Sequence, residues 1–309
     1  MKKYNSINEF QKKGNAVVTT GTFDGVHLGH RKIISRLREI AEQQGGETVV
    51  LTFYPHPRMV LHPDDHGLKL LNTLEERISL IEKLGVDHLI VQPFTKEFSE
   101  QSSPEFVNNI LVNTLGVKAL VIGYDHHFGK DREGTYRELE RLAPVCGFVL
   151  EEVKEEIVNG VAVSSTKIRR ALVEGNVSYA NELLGYEYML TGTVVKGDGV
   201  GRKIGYPTAN IVPQDKFKLV PADGIYAVQI KIDEQRFNGM LYIGNRPTFG
   251  KTQHMIEVNI FDFEKDIYGK DIIVYFRKRI RDDERFSSPE ELSGQLANDK
   301  LDAIKILGQ

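Results

Sequence analysis

The ten residues Gly21-Thr22-Phe23-Asp24-Gly25-Val26-His27-Leu28-Gly29-His30 constrain this chain more than any other stretch. Ahead of them, Ala16-Val17-Val18-Thr19-Thr20 is apolar and β-branched, the pattern of a short buried strand. Behind them, Ile33, Ile34, Leu37 and Ile40 recur at helical spacing with charged residues on the opposite face. The segment therefore reads as strand, glycine-rich turn and helix start. A turn poor in side chains lets backbone N–H groups approach a ligand, and a helix N-terminus favours anions. His27 and His30 become neighbours if the first helical turn takes in both. Two imidazoles, amides and a helix dipole aimed at one point make a corner for handling phosphate. The plainer alternatives are a tight turn, two surface histidines or a metal pair, but histidines without a cysteine or carboxylate partner make a poor zinc set.

The rest of the first half alternates strands with helices. Thr48–Phe53 reads as a strand entering Tyr54-Pro55-His56-Pro57, whose prolines call for an extended loop. A helix over Leu74–Leu84 stops at Gly85, a strand covers His88–Val91, and Pro104 opens a helix through Leu115. Ala119–Ile122 and Phe148–Val153 are further strands around a short helix at Tyr136–Leu142. Such alternation implies an α/β fold with a parallel sheet, whose ligands sit beyond the carboxyl ends of its strands. From about Tyr186 the texture changes. Tyr188–Val195, Gly224–Ile232, Phe237–Ile243, Met255–Phe263 and Asp271–Phe276 read as successive short strands, hence an antiparallel barrel or sandwich. A helix over Pro289–Leu307, capped by Ser287 or Ser288, closes the chain. With 309 residues, two domains are expected, 1–185 and 186–309.

Composition excludes some function classes. A net charge of −3 supplies no electrostatic case for nucleic acid. The single cysteine, Cys146, rules out an intramolecular disulfide and a cysteine-based zinc site. No apolar run approaches the ~18 residues of a membrane span, and the polar start lacks the centre of a signal peptide. The expectation is a cytoplasmic enzyme of small molecules, with no oligomer indicated.

Three more stretches carry chemistry. Gly123-Tyr124-Asp125-His126-His127-Phe128-Gly129-Lys130 follows a strand, yet five residues separate its glycines and Asp131 follows the lysine, so it is not a P-loop. Asp125 there is either a turn residue or a holder of ribose or ribityl hydroxyls. Ser164-Ser165-Thr166-Lys167-Ile168-Arg169-Arg170 offers a helix cap, but a cap needs one hydroxyl; three, beside cations, suit a leaving pyrophosphate. The third runs from Gly197 through Gly199, Gly201, Lys203 and Gly205 to Pro207-Thr208-Ala209-Asn210. It is either a hairpin loop or a set of amides wrapping a phosphate chain. Thr208 and Asn210 share a face if extended, offering neutral oxygens to magnesium. In Ile256-Glu257-Val258-Asn259-Ile260, Glu257 and Asn259 share the face opposite the aliphatics, which on pattern alone is a solvent face. A carboxylate beside magnesium would alternatively take a proton from an attacking alcohol.

The opening string resembles the His-x-Gly-His signature of the nucleotidylyltransferase superfamily, and Ser164-Ser165-Thr166-Lys167-Ile168-Arg169 the motif that accompanies it in small adenylyltransferases. Together with Gly205-Tyr206-Pro207-Thr208-Ala209-Asn210, Gly224-Ile225-Tyr226, Ile243-Gly244-Asn245-Arg246-Pro247-Thr248-Phe249, Ile256-Glu257-Val258 and Asp266-Ile267-Tyr268-Gly269-Lys270, the chain resembles the bacterial bifunctional riboflavin kinase/FAD synthetases. The resemblance implies a Rossmann-like nucleotidylyltransferase domain followed by a six-stranded flavokinase β-barrel with a C-terminal helix. It implies phosphorylation of riboflavin to FMN by ATP, then adenylylation of FMN to FAD. It makes Glu257 the kinase base and puts Mg2+ on Thr208 and Asn210. His27, His30 and Arg169 would serve adenylyl transfer, with Gly21, Phe23, Gly29, Ser164, Ser165 and Thr166 around the ATP phosphates and Gly199, Gly201 and Lys203 around those of the kinase. Flavin contacts are implied near Pro55, Pro57 and Asp125. One departure stands out: many members carry an aromatic residue after the position of Asp125, or asparagine at it, where this chain has His126 or Asp125 itself. A monofunctional adenylyltransferase with a flavin-sensing barrel is the first competitor, disfavoured by Thr208, Asn210 and Glu257; a tRNA-charging enzyme is the second, disfavoured by the charge.

Overall fold

A computed structural model describes residues 1–12, 14–64, 67–197, 201, 205–248 and 251–308, with side chains at 246–248 and 251–253 excepted. The chain divides into two compact units, Met1–Lys69 with Leu74–Ser164, and Leu70–Thr73 with Ser165–Gln309.

The first unit is built on six parallel strands: β1 (Lys2–Tyr4), β2 (Ala16–Thr20), β3 (Glu47–Tyr54), β4 (His88–Pro93), β5 (Val117–Gly123) and β6 (Val149–Val153), in spatial order β1-β4-β3-β2-β5-β6. β2 lies in the middle and all five of its residues are buried, as expected for an apolar strand covered on both faces. Helix α1 (Leu28–Gln44) packs against β2 and β5. On one sheet face Val18, Leu51, Leu120 and Ile122 join a core with Val107, Ile110 and Leu111. Those three residues belong to a helix that runs as Ser103–Glu105 and then π-helical Phe106–Leu115, where one continuous α-helix was expected. The helix expected over Tyr136–Leu142 extends to Cys146 through Pro144. Pro55 sits in the loop after β3, but Pro57 opens a short helix, α2 (Pro57–Leu61), in place of an extended loop. Proline costs nothing at a first helical position, where its missing N–H has no partner to lose. Helix α3 (Leu74–Glu82) follows and ends ahead of Gly85. A hairpin, β7 (Ile157–Val158) with β8 (Val161–Ala162), leads to Ser164.

The second unit is a closed antiparallel barrel of β9 (Met189–Val195), β10 (Ala209–Pro213), β11 (Gly224–Ile232), β12 (Gln235–Thr248), β13 (Lys251–Ile260) and β14 (Asp271–Arg281), in order β10-β13-β12-β11-β14-β9. Five of these strands are legible as periodic runs; β10 is short and enters from a glycine-rich loop. Helices α4 (Ser165–Val173) and α5 (Val177–Leu184) pack with this barrel. Asn181 donates from Nδ2 to the Phe276 carbonyl at 2.8 Å and accepts from the Tyr188 amide at 2.7 Å, tying α5 to the strands. Leu70 also belongs here: its amide donates to the Phe217 carbonyl at 2.7 Å, and buried Lys218 donates to Leu71 at 2.6 Å. The closing helix, α6 (Pro289–Leu307), is capped by Ser288, as the sequence suggested. Its Asp299 is fully buried and receives both Nε (2.8 Å) and Nη2 (2.7 Å) of Arg281 on β14.

Candidate active sites

All six parallel strands end at one carboxyl edge, where the loops after Thr20, Tyr54 and Gly123 carry the candidate residues. The Gly21 amide donates to Leu51 at 3.1 Å, extending the β2–β3 ladder by one step. The chain then reverses in a tight turn, with the Val26 amide bonded to Phe23 at 3.1 Å. Two non-glycine residues, Phe23 (φ 49°) and Val26 (φ 38°), take left-handed backbone conformations beside Gly25 (φ 91°). Such conformations cost on the order of 1–3 kcal/mol each and collect at ligand clamps. Burial holds them, because Phe23 and Val26 are almost fully enclosed.

His27 is not in the first helical turn; it caps α1, and its Nδ1 accepts the His30 amide at 3.4 Å. That geometry assigns the His27 proton to Nε2. A Cβ at position 29 would stand 3.2 Å from the His27 ring, so Gly29 is what lets the ring fold over the helix start. The His27 and His30 rings stack with centroids 3.7 Å apart, and the Phe23 ring lies 5.2 Å from His30 on a tilt. His30 Nδ1 is buried without a hydrogen-bond partner. Burial pushes the His30 imidazole well below the ordinary histidine range, and the neighbouring His27 and Arg77 push it further. The corner thus offers a neutral His30 imidazole stacked on His27 at a helix N-terminus.

One buried cation of this corner escaped the sequence reading. Arg77 lies on α3, where Glu75, Glu76 and Arg77 look like a solvated charged run. It is 3% exposed, and Nη1 donates to the Thr22 carbonyl, to Thr52 Oγ1 (3.3 Å) and to the Phe53 carbonyl (3.4 Å). The signal was present: Arg77 is spaced three and four residues from buried Leu80 and Ile81, on the apolar stripe.

Asp125 falls in the exposed turn after β5. His126 beside it is pushed down to about 4, chiefly by burial and secondly by His127 and Arg132. Pro55 is exposed and Pro57 half-buried. Ser164 ends the first unit; Ser165, Thr166 and Arg169 lie in the first turns of α4 in the second. Arg170 in the same helix is engaged by Glu174 at 2.8 Å.

In the barrel, antiparallel pairing sets Asn210 of β10 opposite Glu257 of β13. The Thr208 hydroxyl approaches Glu257 Oε2 at 3.4 Å. Glu257 is 5% and Asn259 7% exposed, so the face read as solvent-facing is buried. The reason is closure: in a closed barrel packed with helices, alternate strand residues on both sides lose water. Asn259 Nδ2 donates to the Pro207 carbonyl at 2.7 Å, fixing the backbone just ahead of Thr208. A Cβ on Gly197 would overlap the Asn210 carboxamide, so this glycine serves close approach. Gly201 is buried and its carbonyl accepts the Tyr206 amide at 2.9 Å. Gly199 and Lys203 lie outside the described residues. A hydroxyl, a carboxamide and a carboxylate form a hard, all-oxygen donor set, which fits magnesium completed by phosphates and water. Among the described residues no group of three or more His, Cys, Asp or Glu side chains is placed to hold a metal.

A parallel sheet with a histidine-capped helix at its carboxyl edge is a nucleotidylyltransferase frame, and the closed barrel adds the second fold of a two-domain transferase. Comparison with known proteins narrows this. The family model for FAD synthetase matches residues 9–167, and that for riboflavin kinase residues 184–307. A Listeria monocytogenes bifunctional riboflavin kinase/FMN adenylyltransferase is 42% identical, covering 93% of this chain and 91% of the relative. The Bacillus subtilis protein of the same name is 38% identical, covering 96% and 93%. A solved structure titled as a macrolide-efflux protein from Streptococcus pneumoniae superposes with a TM-score of 0.88 at 33% identity, covering 97% of each chain. No helix among the described residues here is long and apolar enough to cross a membrane. The chain belongs to the bifunctional riboflavin kinase/FMN adenylyltransferase family.

Proposed function

We propose that the chain makes FAD from riboflavin in two steps, each consuming one ATP, with residues 186–309 as kinase and 1–185 as adenylyltransferase. Compactness and catalysis need not divide at the same residue: α4 and α5 pack with the barrel, while the adenylyltransferase motif opens α4.

In the kinase step the terminal ribityl hydroxyl attacks the γ-phosphorus of ATP, Glu257 accepts the hydroxyl proton, and the bond from γ-phosphorus to the bridging oxygen breaks to release ADP. An alcohol is a weak nucleophile near neutrality, so a positioned base is needed. Thr208 and Asn210 would hold magnesium, whose chemistry is to neutralise charge on the phosphate chain. Gly199, Gly201 and Lys203 are assigned to that chain.

In the second step an FMN phosphate oxygen attacks the α-phosphorus of a second ATP and pyrophosphate leaves. This nucleophile is already ionised, so alignment and charge stabilisation suffice. His27 and His30, with Gly21, Phe23 and Gly29 shaping the loop, contact the triphosphate; Ser164, Ser165, Thr166 and Arg169 receive the leaving group. Pro55, Pro57 and Asp125 are assigned to the flavin.

The observation that carries this reading is the β10–β13 register, which pairs Asn210 with Glu257, whose buried carboxylate lies 3.4 Å from the Thr208 hydroxyl. The test is to incubate the chain with riboflavin, ATP and Mg2+ and separate the flavins by chromatography. FMN should appear first, then FAD, with one ADP per riboflavin consumed and one pyrophosphate per FAD. Folded chain that forms neither flavin overturns the reading; FAD formed only from supplied FMN overturns its kinase half.

A further inference from the structure

We propose that Arg77 is a positioning residue for adenylyl transfer, hooking the phosphate-handling loop and the loop after β3 to one buried guanidinium at the sheet edge. The inference rests on the assignment of adenylyl transfer to the first unit.

Arg77 does not behave as a structural filler. Burying a guanidinium costs several kcal/mol unless good partners compensate, and an aliphatic side chain would fill an α3 stripe position at no such cost. The acceptors of its Nη1 are neutral: the Thr22 carbonyl, Thr52 Oγ1 and the Phe53 carbonyl. Its Nε is buried without a partner. What the three acceptors share is position. Thr22 is the second residue of the ten-residue motif, and Phe53 is the penultimate residue of β3, just ahead of the turn that carries Pro55; Thr52 Oγ1 also donates to Thr22 at 3.2 Å, closing the set. One cation therefore sets the spacing between two carboxyl-edge loops.

The second consequence is electrostatic. Arg77 faces Asp24, Tyr54 and Glu75, and His30 faces His27 and Arg77. The guanidinium charge adds to burial in holding His30 neutral, so His30 meets the nucleotide as a dipolar N–H group and not as a fixed cation. A lysine at 77 retains the charge, but its nitrogen ends one bond short of the Nη1 position that makes all three contacts, so the two effects separate.

The test uses full-length Arg77→Gln and Arg77→Lys, with FMN-to-FAD rates, circular dichroism as the fold control, and the His30 titration followed by NMR of ring-labelled histidine. Arg77→Gln should lower kcat for FAD formation at least tenfold, change KM for ATP less than threefold, and raise the His30 titration midpoint. Arg77→Lys should leave that midpoint low and lower kcat threefold or more. Wild-type kcat in Arg77→Lys, or an unmoved His30 midpoint in folded Arg77→Gln, overturns the proposal. Wild-type protein that makes no FAD from FMN refutes instead the assignment on which it rests. If Arg77→Gln does not fold, Arg77→Lys still decides, because the proposal requires it to be slow.

Discussion

Glu257→Gln separates the two activities most sharply, and its size can be worked from the barrel geometry. Glutamine is nearly isosteric and keeps an oxygen that can accept the Thr208 hydroxyl now 3.4 Å from Oε2. The residue is 5% exposed, so no solvent rushes into a vacated space. What disappears is the ability to take a proton. General-base catalysis is worth about 10²–10⁴-fold, which at about 1.4 kcal/mol per decade amounts to roughly 3–5 kcal/mol of barrier. The kinase kcat should fall by that factor, with a much smaller change in KM for riboflavin. Initial rates of FMN formation, read by chromatography, measure it. Conversion of supplied FMN to FAD should stay within twofold of wild type, and circular dichroism serves as the folding control for the barrel. His30→Ala should do the reverse, stopping FAD formation while FMN accumulates. A Glu257→Gln enzyme that phosphorylates riboflavin within threefold of wild type would refute the reasoning, because the proton must then go elsewhere.

Two further outcomes concern stability. His126 titrates at about 4 in the folded chain, against about 6.5 when unfolded. The unfolded state therefore binds the extra proton, and stability is lost as pH falls from about 6.5 to 4, by up to about 3 kcal/mol. Urea melts of wild type and His126→Gln at pH 7 and pH 4.5 should show a shallower pH dependence in the variant; identical dependence would contradict the cause named. Asp299→Ala leaves the Arg281 guanidinium half-buried without its bidentate partner, a loss of about 3–5 kcal/mol. Replacing both, Arg281→Met with Asp299→Leu, should recover most of it, and thermal denaturation of the two variants beside wild type reads the difference directly.

How much of this was legible in the sequence depends on whether a residue's role is local. The strand before Gly21, the helix after it and the β13 alternation all announce themselves through periodicity, since each periodic pattern reflects one buried face. The π-helical turn at Phe106–Leu115 has no such signature, because its apolar residues satisfy an α-helical pattern equally well. β10 was hidden for a different reason: five residues after a glycine-rich loop carry too little alternation, and only pairing with β9 and β13 makes them a strand. The burial of Glu257 was also out of reach, since a polar residue between aliphatics looks the same on an open sheet and in a closed barrel. The Leu70–Thr73 segment, paired with Phe217–Leu219, depends wholly on non-local contacts.

The two halves illustrate how the nucleophile dictates the residues. Under the proposed assignment an alcohol must lose a proton as it attacks, and the barrel has a carboxylate, Glu257, buried 3.4 Å from the Thr208 hydroxyl. A phosphate ester needs no base. The sheet corner correspondingly presents two stacked imidazoles, one of them held neutral, and its buried carboxylate, Asp24, faces the Arg77 charge. Asp24 is in this view an electrostatic partner of the positioning cation and not a proton acceptor. Replacing Asp24 with asparagine should therefore disturb loop geometry and lower FAD formation at every pH alike, leaving the shape of its pH profile unchanged. An FAD-forming rate whose acid limb vanishes in Asp24→Asn would show that the corner does use a base, and the division drawn between the two halves would be wrong.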